Sequence, residues 1–551
     1  MSHGPELVLS WALELQQKAD RFRIQRIEGA DSWCALAMGK KGPWLFLSWD
    51  FRHYGCCLAH SEEILPLLKL GSATPPIVAS LKRHLLGASL KGSRRLQQDR
   101  ILELCFRRPI GGAIGQDYHL IFESADRFSN LLLADEGHFI LGISHHIHPE
   151  KNRYRSLVPG LPYTPPPPFP GIDLSSAKTV EDLMRLRGYG RPLLTKISRL
   201  LEHDRNRLDF ILDAMRKGEG EGTLRLLEGH YLTVLPERIS LGTPLQGSVL
   251  EESRRISLFP LIAEKESAIR RELTKETEAE KWRLQQRLQG YQERLRRRDC
   301  ADSDRLRGQA LLAFSHQVPE GASSVELPNP EGLDNTITVL LDPRKDPAGN
   351  AQIYFKRYRK ALDNAGGVER EIDRLEAKLE ELDVERAIID KADLKALFVL
   401  REERHPAKNR SKKKGQTPSH LCLDYDGCRI LVGLTAKGNR FVTFDQASRE
   451  DIWFHARNLP GAHVILKCPS EDIPDGAFEV AASLAAHYSR GAGDEPVTID
   501  YTEKKHVRHI PGKGPAHVTY RNFASITISP GRWREKIEGI EQAPPVKGNG
   551  N

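Results

Sequence analysis

Apolar positions along this chain change their spacing several times, and each change marks an element. Spacings of three and four over the first turns predict a helix from about Glu6 to Asp20. Trp33–Gly39 and Gly42–Trp49 then alternate or run apolar, as strands do. After the break Thr74-Pro75-Pro76, the stretch Ile77–Leu90 is a helical amphipath, with Ile77, Leu81, His84, Leu85 and Leu86 on one side. A short strand over Ile101–Phe106 leads to a glycine turn at Gly111–Gln116. Tyr118–Ser124, Asn130–Asp135 and His138–Ser144 complete a strand series. The run Pro165–Pro168 ends this first domain as a stiff extended linker.

Residues 178–215 read as helix, glycine turn, helix. That is the shape of a helix-hairpin-helix, whose turn amides can hold a phosphate, and equally of an ordinary helical hairpin. Two long charged helices follow. The first, over 254–298, ends in a 4-3-4 seam of Leu284, Leu288, Tyr291 and Leu295. The second, over 368–389, carries Val368, Ile372, Leu375, Leu379, Leu382 and Ile389, broken only by Arg386. The two flank a folded insert, so an antiparallel coiled-coil hairpin is predicted, its first arm on the order of 60 Å long at the helical rise. A basic run of Arg404, Lys408, Arg410, Lys412, Lys413 and Lys414 reads as a linker over 404–418, either solvated or touching phosphate. Residues 419–530 form a second α/β unit with one helix near Phe478–Ser489, and 531–551 read as a loose, flexible tail.

Composition adds little to this division. With 551 residues, 39% hydrophobic, the chain has room for several modest cores rather than one large one. The 82 Lys and Arg exceed the 74 Asp and Glu, a formal charge of +8 that suits a polyanionic partner without requiring one. The opening residues lack the basic start, apolar segment and cleavage site of a signal peptide, and no apolar run reaches the ~20 residues of a membrane span. A cytoplasmic protein is expected. The eight cysteines, Cys34, Cys56, Cys57, Cys105, Cys300, Cys422, Cys428 and Cys468, form no CxxC pair and read as reduced, buried thiols.

Catalytic and metal signatures are absent from the pattern. His145, His146 and His148 have no helical spacing and no nearby acid or cysteine, so they read as surface loop residues and no metal site is assigned. Gly512-Lys513-Gly514 lacks the rest of a P-loop, and no Gly-x-Ser-x-Gly elbow or carboxylate pair stands out. Pro5-Glu6 resembles the start of formamidopyrimidine-DNA glycosylases, which use an N-terminal proline amine. Here Ser2, His3 and Gly4 precede it, so the Pro5 nitrogen is a tertiary amide without nucleophilicity.

What remains is basic surface. Lys82, Arg83, Lys91, Arg94, Arg95 and Arg100 crowd one helix-to-strand passage, where planar guanidinium groups suit phosphate. Asp99 could orient Arg100, accept from a base edge or ribose hydroxyl, or form a local salt bridge. In the last domain, Asp451–Leu466 sets Trp453 and His455 on one face, followed by Arg457 and His463. Tyr501–Val518 brings Lys504, Lys505, Arg508 and Lys513. Aromatic, histidine and basic residues on a strand pair make a candidate RNA surface, with core packing the alternative for Trp453 and Phe454.

These segments resemble the NFACT family, the RqcH and NEMF type of ribosome quality control protein once described as fibronectin-binding. Asp451–Leu466 is similar to the NFACT-R pattern DIWxHAKDxPGSHVxI, and Tyr501–Val518 to its YTxKKxVKKPKGAKPGxVxY. His84–Ile101 resembles HLxGxRIxxIxQxxxDRI of NFACT-N, and Glu123–Leu133 its E-x-MGRHSNxIL, with Ser124, Ala125 and Phe128 differing. Leu340–Ala361 is similar to LDPxxTPxENAQxYFKKYxK, a motif assigned to the base of the coiled coil. Gly433-Leu434-Thr435 departs from the family's Gly-Arg-Asn.

The resemblance covers about residues 4–530 in order. It implies a multidomain α+β protein: a glycosylase-like α/β NFACT-N domain over 1–170, a helix-hairpin-helix segment over 171–250, the coiled-coil hairpin with its insert over 251–403, and an α/β NFACT-R domain over 419–530. It implies a non-enzymatic factor, without cofactor, that binds the large (50S) ribosomal subunit, its rRNA and an obstructing peptidyl-tRNA. Alanyl-tRNA is recruited for template-free alanine tailing of the stalled chain, the ribosome performing peptide transfer, with the small RNA-binding protein RqcP as a partner. The expected tRNA-binding residues are Asp99, Arg100, Arg94, Arg95 and Glu123. RNA or ribosome contacts are expected from Trp453, His455, Arg457, His463, Lys504, Lys505, Arg508 and Lys513. The competing expectations are a surface adhesin for fibronectin and a DNA glycosylase or lyase.

Overall fold

The computed structural model describes residues 2–542 apart from 20–21, 40–41, 112–113, 149, 151, 153, 203–206, 219–221, 333–334, 364–366, 406–416, 471, 491–492, 494 and 512–513. The chain is multidomain and α+β, with antiparallel pairing in every described sheet. It divides into two compact units, Met1–Ser267 and Ala268–Asn551. No described helix is long and apolar enough to cross a membrane.

The first unit begins with a helix over Pro5–Gln17, its proline in the first turn where the missing N–H costs nothing. Leu7, Val8, Trp11, Ala12 and Leu15 lie on its buried face. A four-stranded meander (Ile24–Ala30, Trp33–Met38, Trp44–Ser48, Gly55–Ala59) packs against it. Both faces of this sheet are covered. Cys34, Leu36, Leu45, Leu47 and Cys56 join the core of the first helix, while Trp33, Ala35, Phe46 and Cys57 meet Leu258 and Leu261 at the start of a long helix. Neighbours Cys56 and Cys57 therefore enter different cores.

The amphipath becomes a helix over Pro76–Leu85 with Ile77, Val78, Leu81 and Leu85 buried; Leu86 falls beyond its end and is exposed. Its last turn leads into a five-stranded meander: Ser89–Arg95, Ile101–Gly111, Ile114–Glu123, Asn130–Asp135 and Ile140–Ile143. Leu102, Leu104 and Phe106 face the core with Leu120 and Phe122, which leaves Glu103, Cys105 and His119 on the opposite face.

The 171–250 stretch, read as helical, contains helices over Arg191–Glu202 and Leu208–Lys217. It also holds a three-stranded sheet of Thr223–Leu227, Tyr231–Leu235 and Thr243–Pro244. Its central residues are buried from both sides, so no alternation betrayed the strand: Leu232 and Val234 enter the first core, Tyr231 and Leu235 the helical one.

In the second unit, the helix Leu258–Ala313, whose first turns belong to the first unit, pairs antiparallel with Val368–Lys391. Three contacts fix the register. Arg270 donates to the Ile389 carbonyl at 3.0 Å, and ion pairs join Lys281 to Asp383 at 2.6 Å and Arg287 to Glu371 at 3.1 Å. Leu375, Leu382 and Ile389 are buried along the predicted seam. The insert forms a hairpin of Ser324–Pro328 and Thr336–Leu340 followed by a helix over Pro347–Asp363. It lies past the Arg287–Glu371 end of the helix pair. The Leu340–Ala361 motif therefore sits at the far end of the coiled coil, not its base. Asn350 explains the motif's asparagine: its amide accepts from Asp342 N at 2.8 Å and donates to the carbonyls of Asp342, Lys345 and Asp346, closing the turn.

Six strands build the last sheet in the spatial order His420–Tyr425, Cys428–Gly433, Val464–Lys467, Ile452–Ala456, Val497–Glu503 and Ala524–Ile528. An alanine-rich helix over Asp475–His487 covers one face. Three corrections arise here. Cys428 and Cys468 are joined in a disulfide, not left as thiols; the pairing of Arg429 with Lys467 brings them opposite each other despite a separation of 40 residues. The predicted loose tail begins as a helix, Arg532–Gln542, docked on Asp475–His487 through Trp533 N to Ser483 Oγ at 3.0 Å and Lys536 to Glu479 at 2.9 Å. Arg404 ends the helix Leu394–Arg404 rather than starting a linker, and its guanidinium is tied to Glu385, Glu276 and Thr277. The remaining basic-run residues, Lys408 to Lys414, lie outside the described residues.

Candidate nucleic-acid interface

Asp99 and Arg100 sit at the tip of the hairpin joining Ser89–Arg95 to Ile101–Gly111. The turn forces Gln97 and Gln98 into left-handed backbone, φ 50° and 51°, and closes by Leu96 N to Ile101 O at 2.9 Å. The Asp99 carboxylate accepts from the Arg100 amide at 2.7 Å, an orienting role for Asp99. The Arg100 guanidinium meets Asp126 at 3.2 Å, and the Tyr54 hydroxyl donates to the other Asp126 oxygen. Asp126 is itself in left-handed backbone, within the short turn Asp126–Phe128. Burial raises the Asp126 carboxyl, but Tyr54 and Arg100 outweigh it and hold the group below its usual range.

Beneath this surface lies a buried layer. His3 is fully buried against Trp11 and Tyr54, its Nε2 2.8 Å from the Ser124 hydroxyl, and the Ser124 amide donates to the Arg100 carbonyl at 2.8 Å. Burial first, and then the Arg100 charge, push the His3 imidazole far below its usual value, so it is neutral. The Ser124 hydroxyl is thus the hydrogen-bond partner of the buried His3.

The other basic-edge residues divide. Arg94 is largely exposed but holds Glu103 with its Nε; Arg95 donates to the carbonyls of Pro5 and Gly188 at 3.2 and 3.3 Å; Lys82 pairs with Glu28 at 3.2 Å. Arg83 and Lys91 are exposed. Glu123 is buried and taken by a bidentate Arg155 at 2.5 and 2.9 Å, with Tyr163 donating at 2.9 Å. Its carboxylate supports the strand end and is not offered to a ligand. The pattern missed Arg127 and Phe128. Phe128 is 67% exposed with the Arg127 guanidinium 4.9 Å from its ring centroid, a flat stacking surface beside Arg100.

The helix-hairpin-helix turn does not present all its amides. Gly190 N donates to Glu6 Oε2 at 2.8 Å, while Tyr231 and Thr233 hydroxyls donate to Oε1 at 2.7 and 3.0 Å. Pro5 is continuous with Gly4 at the helix start, as the sequence requires.

The second candidate surface is in the last domain, described on its own. Trp453 is fully buried, not a surface stacking platform, because its face of the sheet is covered by Val442, Val507 and their neighbours. Phe454 is buried on the other face against Phe478. His455 stacks on Trp453 at 5.6 Å, and His463, 2% exposed, meets both edge-on while its Nδ1 bonds Thr443 at 2.9 Å. Burial lowers the His455 imidazole to about 4 and holds the His463 imidazole well below its ordinary value. With Asn458, Arg490, His517 and Tyr520, and with Glu380 and Glu381 from the helix Val368–Lys391, they line a cavity of about 440 Å³, large enough for a nucleoside. Elsewhere on the domain, Arg457 is exposed and anchored by Asp500 at 2.9 Å, Lys504 lies 5.8 Å from the Phe444 ring centroid, and Lys505 and Arg508 are exposed, Lys505 beside Glu503. Lys513 lies outside the described residues, and Leu434 is buried.

Exposed cations thus lie on both surfaces, the first built around the Arg100–Asp126 ion pair and the second carrying a cavity whose lining includes Glu380, Glu381 and Arg490. Family comparison gives the chain its place. The family model for the NFACT N-terminal and middle domains matches residues 9–197 and 262–419, and the chain belongs to the NFACT family. Among its relatives is a protein named Rqc2 homolog RqcH from Streptococcus pneumoniae, 28% identical, the match covering 82% of this chain and 84% of that one. The Bacillus subtilis protein of the same name is 26% identical over 83% and 86%. The solved C-terminal part of a fibronectin/fibrinogen-binding protein from Streptococcus suis is 24% identical, covers 50% of this chain and 98% of that one, and has a TM-score of 0.34.

Proposed function

We propose that this protein is a cytoplasmic ribosome quality control factor. It binds the large ribosomal subunit while a peptidyl-tRNA obstructs it, and recruits alanyl-tRNA so that alanines are added to the stalled chain without a template. The observation that carries this reading is the presentation of Arg100 on a turn fixed by Asp99, Asp126 and Tyr54, within a chain that resembles RqcH proteins over most of its length. Arg100 meets tRNA phosphate, and Arg127 with Phe128 stacks on an unpaired base. In the last domain Arg457, Lys504, Lys505 and Arg508 contact RNA backbone, while the cavity lined by His455 and His463 receives whatever base or side chain is offered there. The protein does no covalent chemistry; the ribosome makes the peptide bonds, and RqcP acts as a helper.

Deleting the gene and probing stalled chains for C-terminal alanine tests the tailing. Loss of alanine on deletion supports it, and unchanged chains remove it. Sedimentation of the purified protein with large subunits at rising salt tests the binding itself, since contacts to phosphate weaken as salt competes.

A further inference from the structure

On the outer face of the five-stranded meander three donors from three separate segments converge. Glu103 lies on the strand Ile101–Gly111, His119 on Ile114–Glu123, and His138 on the turn before Ile140–Ile143. Glu103 Oε1 is 3.2 Å from His119 Nδ1 and 3.0 Å from His138 Nε2, and all three donor atoms lie within 4.8 Å of one another. A tetrahedral zinc ion with Zn–N and Zn–O bonds of ~2.0–2.1 Å separates its ligands by about 3.3 Å. Two edges of the set already have that length.

The Glu103 carboxylate is 2% exposed and paired with the Arg94 guanidinium. His119 Nδ1 is buried yet makes no hydrogen bond, despite its closeness to the carboxylate. His138 Nε2 is hydrogen-bonded to the same Glu103 oxygen at 3.0 Å and its ring stacks on His119 at 4.1 Å, so an ion would replace that proton and turn the rings toward itself. Arg94 holds the remaining Glu103 oxygen, the place of an outer partner that orients a metal-bound carboxylate. Cys105 is the cross-strand partner of His119, and strand alternation puts it on the same face as Glu103. Cross-strand neighbours hold their Cβ atoms roughly 4.5–5.5 Å apart; the Cys105 Sγ lies outside the 4.8 Å set of the other three donors, so it joins them only by a change of rotamer.

We propose that Glu103, His119 and His138 form a zinc-type metal site, with Cys105 supplying the fourth ligand. A cysteine binds a metal as its thiolate, so binding through Cys105 would release a proton. The resulting ion would cross-link two strands and a turn behind the hairpin that carries Arg100. The site is independent of any role in RNA binding.

The test uses the full chain stripped with a chelator and titrated with zinc, then with cobalt as an optical probe. His138→Asn is the informative variant, because asparagine tolerates the left-handed backbone that His138 adopts, φ 60°. The wild type is expected to bind one equivalent more zinc than His138→Asn or His119→Ala, with circular dichroism of His138→Asn unchanged. The cobalt form should show a thiolate charge-transfer band that Cys105→Ser removes. Equal zinc uptake by the wild type and His138→Asn overturns the site. Cobalt uptake without a thiolate band in the wild type overturns the part assigned to Cys105.

Discussion

Glu6 and Gly190 are 184 residues apart, yet the Glu6 carboxylate accepts the Gly190 amide hydrogen bond at 2.8 Å, buried from solvent. The contact ties the N-terminal helix to the glycine turn before Arg191–Glu202, and the Tyr231 and Thr233 hydroxyls complete the carboxylate's shell. Leaving buried donors unsatisfied costs about 1–3 kcal/mol each. Glu6→Ala is therefore expected to lower the stability of the Met1–Ser267 unit by about 3 kcal/mol or more. Glu6→Gln should cost roughly half as much, since its amide oxygen still serves two donors while its NH₂ opposes the third. Denaturant unfolding measures both; a silent Glu6→Ala would show the shell to be dispensable.

Arg100 is held from two sides, by its hairpin and by Asp126. Asp126→Asn keeps the left-handed turn but weakens the ion pair and the Tyr54 bond. Its tRNA affinity should fall several-fold with little change in unfolding midpoint, whereas Arg100→Ala removes the phosphate contact and should cost about tenfold or more. Gel-shift titration at fixed salt reads both. Equal loss of fold and binding in Arg100→Ala would make the residue structural.

Most element types and their order were legible from periodicity and motif order, the buried strands within Thr223–Leu235 and the helix Arg532–Gln542 being exceptions; what each polar side chain does was not. The seam from Val368 to Ile389 was readable because an exposed helix pair keeps one apolar stripe. Trp453 was not, because strand alternation says which residues share a face but not whether a second layer covers it. Glu123 and Arg404 read as charged binding groups, while Arg155 and Glu385 neutralise them from 32 and 19 residues away. The Cys428–Cys468 bond depended likewise on strand register, which spacing alone does not reveal.

Acid should loosen the last domain before the rest of the second unit. His455 and His487 are lowered to about 4, chiefly by burial, and burial also holds His463 well below its ordinary value. A lowered imidazole is neutral in the fold, whereas the unfolded chain takes its proton near the ordinary value of ~6.5. Stability is thus full above that value and lost as pH falls toward about 4, by up to about 1.4 kcal/mol per pH unit for each such group. Urea unfolding at pH about 7, 6 and 5 should show a steady decline. His487→Gln, which removes one titrating group near Lys391 and Trp533, should make it shallower. An unchanged slope would place the titration elsewhere.

Trp453 and Arg508 separate packing from binding on the same domain. Trp453 is wholly buried between Leu431, Val442, Ile465 and Val507, so Trp453→Ala should cost about 3–5 kcal/mol of stability, and RNA binding is lost only as the fold is lost. Arg508 is exposed on the short strand Val507–His509, and Arg508→Ala should leave the unfolding midpoint within about 0.5 kcal/mol of the wild type. Its effect should appear in the salt dependence of single-stranded RNA binding, where losing one phosphate contact reduces the slope of log affinity against log salt by about 0.7. Fluorescence titration of a labelled oligonucleotide at several salt concentrations gives that slope. If Arg508→Ala leaves it unchanged while Lys505→Ala lowers it, the RNA path runs along the Lys505 side of the strand; if neither moves it, this face does not carry RNA.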